Sequence, residues 1–382
     1  MASASLALLL ALLAFLAPAA PDTVKTAGDA ACLSCHQAQS TYVHTAHALT
    51  SQPASKESIL GSFHEGSNVL MIADPATASD NPGLYFKMEA RPNGFFQTAF
   101  AGWPGQLKTR SEKMEIVIGS GVRGQSYLYW HGDRLFELPV SYWSDGNRWI
   151  NSPGYKDGTM NFSRAVVPRC LECHATSIRA SSPDPLGNQY DPESLVLGIS
   201  CERCHGPGAR HIALEQAKAP GASEAILNPA KFSRDRQVDL CALCHNGIRT
   251  DELVPAFSYV LGKPLDNYLR PTEGAVAAHP DVHGNQVGLL EKSRCYLSSP
   301  NMSCLTCHDV HQAERTAATY SARCLSCHKV ESCGMAKTMG PRIAENCIDC
   351  HMPVEPTNAI ASVTAGQTIR PNMRNHWIKV YP

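Results

Sequence analysis

Seven times this chain repeats the pattern Cys-x-x-Cys-His: Cys32/Cys35/His36, Cys170/Cys173/His174, Cys201/Cys204/His205, Cys241/Cys244/His245, Cys304/Cys307/His308, Cys324/Cys327/His328 and Cys347/Cys350/His351. Fourteen of the sixteen cysteines in the 382 residues are used this way. A chain of this composition would produce the triplet by chance about 0.03 times. Two thiols three positions apart sit one helical turn from each other, so they can form thioethers to two vinyl groups on one porphyrin edge while the adjoining His reaches the iron. Zinc knuckles pair two Cys-x-x-Cys units, or one unit with two spaced histidines, and do not demand a His after every second Cys. A disulfide framework does not demand it either. The spacing therefore points to seven covalently bound c-type haems, with the fourteen cysteines holding the porphyrins and the seven histidines on the irons.

A low-spin haem iron needs a sixth ligand, and nine histidines lie outside the motifs: His44, His47, His64, His131, His211, His279, His283, His311 and His376. Nine candidates for seven irons favour bis-His ligation throughout, which holds potentials below those of Met/His ligation. His44 and His47 read as one turn apart on a helix over residues 37–50, and His47 is preferred. His211 follows a Gly-Pro-Gly turn and His311 lies three residues beyond His308. Each is too close in sequence to cap its own iron and is expected to serve a neighbour. His376, His64 and His283 complete the expected distal set; His279 ranks below them. His131 sits in a His-Gly-Asp turn and reads as merely exposed, and Met302 as packing against a porphyrin. The two remaining cysteines, Cys295 and Cys333, are expected to form a disulfide rather than stand as free thiols, since an oxidising compartment is implied.

That compartment is read from the N-terminus, where an apolar run from Leu6 to Leu16 precedes Ala17-Pro18-Ala19, the layout of a secretory signal over residues 1–19. No later segment has the ~20 apolar residues of a transmembrane helix. A formal net charge of -1, without a basic block, gives no reason to expect nucleic acid.

The motifs divide the chain into a first haem segment (20–60), a haem-free stretch (61–165) and a six-haem region (166–382). The last gives each haem about 30 residues, too few for a separate apolar core. Haems must therefore pack on one another and serve as the core, and the expected fold is mainly α, with short helices and little regular secondary structure. The haem-free stretch reads as a small antiparallel β subdomain, with strand-like runs Glu115–Ile118, Gln125–Trp130 and Leu135–Tyr142. Gly119-Ser-Gly121-Val-Arg-Gly124 matches a dinucleotide fingerprint by letter, but an aromatic strand-like run follows it where a helix is required.

Several segments resemble the multihaem cytochromes related to tetrahaem cytochrome c-554 and the pentahaem nitrite reductases. They are Thr-Ala-His47-Ala, Cys201-Glu-Arg-Cys204-His205-Gly-Pro-Gly with His211, Met302-Ser-Cys304 through His308-Asp-Val-His311, and Cys347-Ile-Asp-Cys350-His351-Met-Pro with His376-Trp-Ile. The resemblance implies that the matching histidines are distal ligands and that the haems form a conducting chain. Nitrite reductases of this kind carry Lys in place of one motif His; here all seven motifs end in His. The expected function is electron transfer by a periplasmic or cell-surface protein, with redox proteins as partners (a quinol-linked donor or other cytochromes) and a possible oligomer or array. The alternative is a multihaem oxidoreductase acting on a small nitrogen or sulfur compound at one five-coordinate haem. The motifs ending in His174 and His245 are its best candidates, because no spare His follows either closely.

Overall fold

The computed structural model describes residues 26–72, 83–103, 105–247, 250–271, 285–313, 316–357 and 361–381. The signal-like segment, His279 and His283 lie outside them. The expectation of a mainly α fold is wrong: the chain is 28% helix and 27% strand, with several antiparallel sheets. Two physical causes account for the difference. Motif helices stop after one to three turns, and the segments flanking them pair as two-stranded ladders instead of extending as helix.

The larger share of strand lies between the first and second motifs. Strands β1 (Ser51–Pro53), β2 (Val69–Met71), β3 (Gly83–Arg91), β4 (Gly94–Gly102), β5 (Lys108–Met114), β6 (Ile116–Ile118), β7 (Gly124–His131), β8 (Arg134–Glu137), β9 (Val140–Trp143), β10 (Arg148–Asn151) and β11 (Arg164–Ala165) follow in order. Strands β2-β3-β4-β5 make one antiparallel sheet; β1-β6-β7-β8-β11 make another, to which β9 and β10 attach through β7. Alternating side chains on β3 bury Phe86 and Met88 completely, as a strand with one face on a core must. They meet Val117, Tyr127, Leu138, Val140 and Trp149. Gln97 on β4 fastens the sheets, donating to the Val140 carbonyl at 2.6 Å and accepting from the Val140 N–H at 3.0 Å.

The glycines of the dinucleotide-like pattern build the turn from β6 into β7. Gly119 has φ +101°, and a Cβ on Gly124 would lie 2.5 Å from the Tyr142 carbonyl oxygen. Only glycine fits both positions.

A second core carries this sheet onto the haem-motif region. Ile116, Leu128 and Leu135 pack with Val166, Leu171, Ala175, Ile178 and Tyr190, so the sheet rests on the second motif helix and on the ladder formed by β12 (Ala175–Ala180) and β13 (Tyr190–Leu197). The Tyr190 hydroxyl donates to the Val166 carbonyl at 2.6 Å. No helix among the described residues is long and apolar enough to cross a membrane.

Candidate haem sites

The motifs occupy helices α1 (Asp29–Leu33, continuing as a turn to His36), α2 (Pro168–His174), α3 (Cys201–His205) and, beyond α4 (Ala209–Gln216), α5 (Arg234–His245). The last three occupy the 3-10 turn Cys304–Thr306 and the helices Ala317–Leu325 and Ile348–His351. In four motifs the His N–H donates to the carbonyl of the first Cys: His36 to Cys32 at 2.9 Å, His308 to Cys304 at 3.0 Å, His328 to Cys324 at 3.0 Å and His351 to Cys347 at 3.2 Å. That single turn sets both thiols and the imidazole toward one side.

The motif cysteines differ in exposure. Cys35, Cys170, Cys327 and Cys350 are exposed, whereas the other ten are half-buried. Local structure gives the reason for Cys35 and Cys327. Each lies two residues past the last residue of its helix, Leu33 or Leu325, where the chain turns along the surface. There the sulfur of Cys35 meets only the neighbouring Ser34 hydroxyl at 3.8 Å, and that of Cys327 the neighbouring Ser326 hydroxyl at 3.8 Å.

Four motif histidines face a histidine from elsewhere in the chain. Ring centroids lie 6.3 Å apart for His36 and His211, 6.1 Å for His205 and His311, 6.3 Å for His308 and His376, and 5.9 Å for His47 and His245. A metal–imidazole bond is about 2 Å and the ring centre lies roughly 1 Å behind the ligating nitrogen, so two imidazoles on opposite faces of one iron stand about 6 Å apart. All four pairs match that spacing, which is too wide for direct ring stacking. Among the described residues no three His, Cys, Asp or Glu side chains converge as a metal-ion cluster would require. The donors fit haem, which supplies one-electron redox chemistry when bound, and they do not fit tetrahedral zinc.

Hydrogen bonds fix which ring nitrogen is free. Nδ1 of His205 meets the Leu227 carbonyl at 2.8 Å, Nδ1 of His211 the Ala222 carbonyl at 2.9 Å, and Nδ1 of His351 the Lys379 carbonyl at 2.8 Å. Nδ1 of His376 meets the Arg374 carbonyl at 3.1 Å. A carbonyl only accepts, so Nδ1 carries the proton and Nε2 is left with its lone pair for a metal. Burial, reinforced by His245 and His308, holds His47 down to about 4; burial and His308 hold His376 down to about 4. Burial also lowers His245, and burial with His205 lowers His311. These imidazoles are neutral at neutral pH, the form that binds iron.

The helix expected over residues 37–50 ends early, as a 3-10 helix Gln37–His44, and the chain turns at the buried Thr45. The turn sends His47 to His245 and places His44 beside a cavity of about 320 Å³ shared with Thr41, Gln312 and Ala313. His245, one of the two motifs that spacing offered for an open iron, thus faces an imidazole. His174 has its Nδ1 against the Thr50 hydroxyl at 2.9 Å. His64 is exposed in the segment between β1 and β2, and His131 is exposed in the β7–β8 turn; among the described residues neither ring faces a motif histidine. His328 is likewise exposed. Met302 packs at the edge of the core around Val238, Leu265 and Tyr296. Cys295 and Cys333 stand as separate thiols, against the expected disulfide. Cys295 sits on the helix Arg294–Ser298.

Sequence reasoning missed the acidic residues inside the motifs. Glu202, between Cys201 and Cys204, accepts from the backbone N–H groups of Ala27 at 2.9 Å, Gly28 at 3.0 Å and Gly208 at 2.8 Å. Asp29 accepts from the Cys201 N–H at 2.9 Å. The first and third motifs are bound together by these carboxylates. Their only trace in sequence is an acid at an x position, where a surface charge would look the same.

The residues on either side of the second and third motifs decide what kind of protein this is. A family profile described as "Cytochrome c554 and c-prime" matches residues 151–206, which span both motifs. The chain is a multihaem c-type cytochrome. It is also 24% identical, over 216 residues, to "Multiheme cytochrome MtrA" of Shewanella baltica. That alignment covers 51% of this cytochrome and 58% of the relative, so the chain spans less than two thirds of the relative's length. No solved structure matches it.

Proposed function

We propose that this cytochrome carries seven haems, one at each Cys-x-x-Cys-His motif, and relays electrons outside the cytoplasm between redox proteins. The observation that carries the reading is the set of four opposed histidine pairs at iron-bridging distance. His211 caps the iron at His36, His47 that at His245, His311 that at His205 and His376 that at His308. Every one of these distal ligands comes from a segment remote from the motif it serves, so each haem ties two stretches of chain together. His64 and His283 remain candidates for the other irons.

Hydrogen bonds between motif segments support neighbouring sites in the relay. Glu202 and Asp29 join the first motif to the third, Arg169 joins the second to the fourth and Arg203 the third to the second. Ser303, beside Cys304, donates to Gln237 on the helix of the fourth motif at 2.6 Å, and the Cys347 N–H donates to Ser321 on the helix of the sixth at 2.8 Å. The segment reading as a secretory signal supports a periplasmic or cell-surface location. Partners are donor and acceptor proteins able to reach exposed motif residues such as Cys35 and His36 at the first site and Cys327 and His328 at the sixth.

The pairing is tested by low-temperature EPR of the oxidised, haem-loaded protein and of a His47→Ala variant. The expected result is a new axial high-spin signal of about one haem per chain in the variant. An unchanged spectrum contradicts the assignment of His47 to the fourth iron.

A further inference from the structure

A charged cluster is buried where the second, third and fourth motifs meet, and the ligation scheme does not use it. Glu172, between Cys170 and Cys173, is only 3% exposed. Its carboxylate accepts from Arg169 Nη1 at 2.5 Å and from the Phe257 N–H at 2.6 Å. Arg203, between Cys201 and Cys204, reaches across from the third motif. One of its Nη atoms donates to the Glu172 carbonyl at 3.0 Å, while the guanidinium stands 3.8 Å from the Glu172 carboxylate and lies over the Phe257 ring at 5.1 Å. Its Nε is buried without a partner. Arg169 also donates to the Leu243 carbonyl at 2.8 Å, inside the fourth motif. Two guanidiniums thus face one buried carboxylate, beside the point where Cys173 and Cys244 touch.

We propose that Arg203, Arg169 and Glu172 form a fixed charge cluster that sets the reduction potentials of the second and fourth haem sites, Arg203 being the group that raises them. The inference rests on the reading of these motifs as haem sites. Adding one electron to a ferric site lowers its charge by one, so a nearby cation stabilises the reduced form and a nearby anion the oxidised form. Burial makes the effect large, because solvent cannot screen it. Arg203 is the less compensated guanidinium: it stands 3.8 Å from the carboxylate that Arg169 holds at 2.5 Å, and it reaches the backbone of the second motif where that motif meets the fourth. Electrons passing the junction therefore dwell on the second and fourth sites.

The test is a spectroelectrochemical titration at pH 8 of the haem-loaded protein and of Arg203→Met, Glu172→Gln and Arg203→Lys. Removing the cation is expected to lower the ferrous-to-ferric ratio about tenfold at a fixed potential for two of the haems, which is 59 mV for a one-electron couple. Removing the anion is expected to raise it, and the Lys variant to stay near the wild type. A merely structural role would move both charge-removing variants the same way, by admitting water. Same-sign or absent shifts in variants that carry their haems overturn the proposal. If those variants fail to load haem, Arg203→Gln decides, because it removes the cation and keeps a side chain able to donate to the Glu172 carbonyl that Arg203 reaches at 3.0 Å. A downward shift there supports the cluster and no shift overturns it. Absence of bound haem from the wild type would instead defeat the underlying reading.

Discussion

At the scale of single residues, this protein uses histidine in two ways that sequence spacing only half reveals. The motif histidines announce themselves by following a Cys pair. Their partners His47, His211, His311 and His376 could be named as candidates from sequence, but the motif each one faces is set by tertiary approach. What sets them apart is a ring-centroid separation near 6 Å from a motif histidine. The carboxylates inside the motifs are equally tertiary in origin. Glu202 accepts three backbone N–H groups with its side chain 8% exposed as a residue, and charge-assisted hydrogen bonds are worth about 1.5–3 kcal/mol each. Glu202→Gln keeps the shape, loses the charge and leaves one donor group facing donors. A destabilisation of about 2–4 kcal/mol is expected, read as a lower denaturant midpoint at unchanged slope. An unchanged midpoint contradicts the role of Glu202 in locking the first motif onto the third.

At the scale of elements, the strands were legible and the helices were misjudged. The runs Glu115–Ile118 and Gln125–Trp130 appear as β6 and β7, largely buried rather than alternating, and the turn glycines announced the bend between them. The run Leu135–Tyr142 breaks at Leu138-Pro139, because proline lacks the N–H that a continuous ladder needs, and it becomes β8 and β9. The two-stranded ladders of the six-haem region were not foreseen. Strands such as Val354–Pro356 with Asn372–Arg374 are three residues long, below the length at which alternation can be read. Length also explains the overestimate of helix: a motif needs only one turn to set two thiols and a His, and nothing extends it further. The same early stop leaves Cys35 and Cys327 at the surface, which the motif spacing alone does not reveal. Leu138, fully buried between the sheets, tests whether the β-rich part stands by its own core. Leu138→Ala is expected to cost about 2–5 kcal/mol, seen as a lower midpoint for unfolding of that part while the haem absorption spectrum stays the same. Altered haem spectra would mean that the β-rich part shares a core with the iron sites.

At the scale of the whole molecule, the cofactors and the polypeptide divide the work of organisation. Apolar clusters hold the sheets to each other and to the second motif, whereas around the last two motifs the buried apolar side chains among the described residues include Ile343 and Ile348. There the C-terminal segment returns to the fifth motif, with the His376 ring 6.3 Å from that of His308. The central claim is that all seven motifs hold haem covalently, and mass spectrometry of the intact chain under denaturing conditions tests it most directly, because thioether-bound haem survives unfolding while a coordinated metal is lost. The expected mass exceeds that of the polypeptide by seven haems; a chain carrying fewer, or none, contradicts the account.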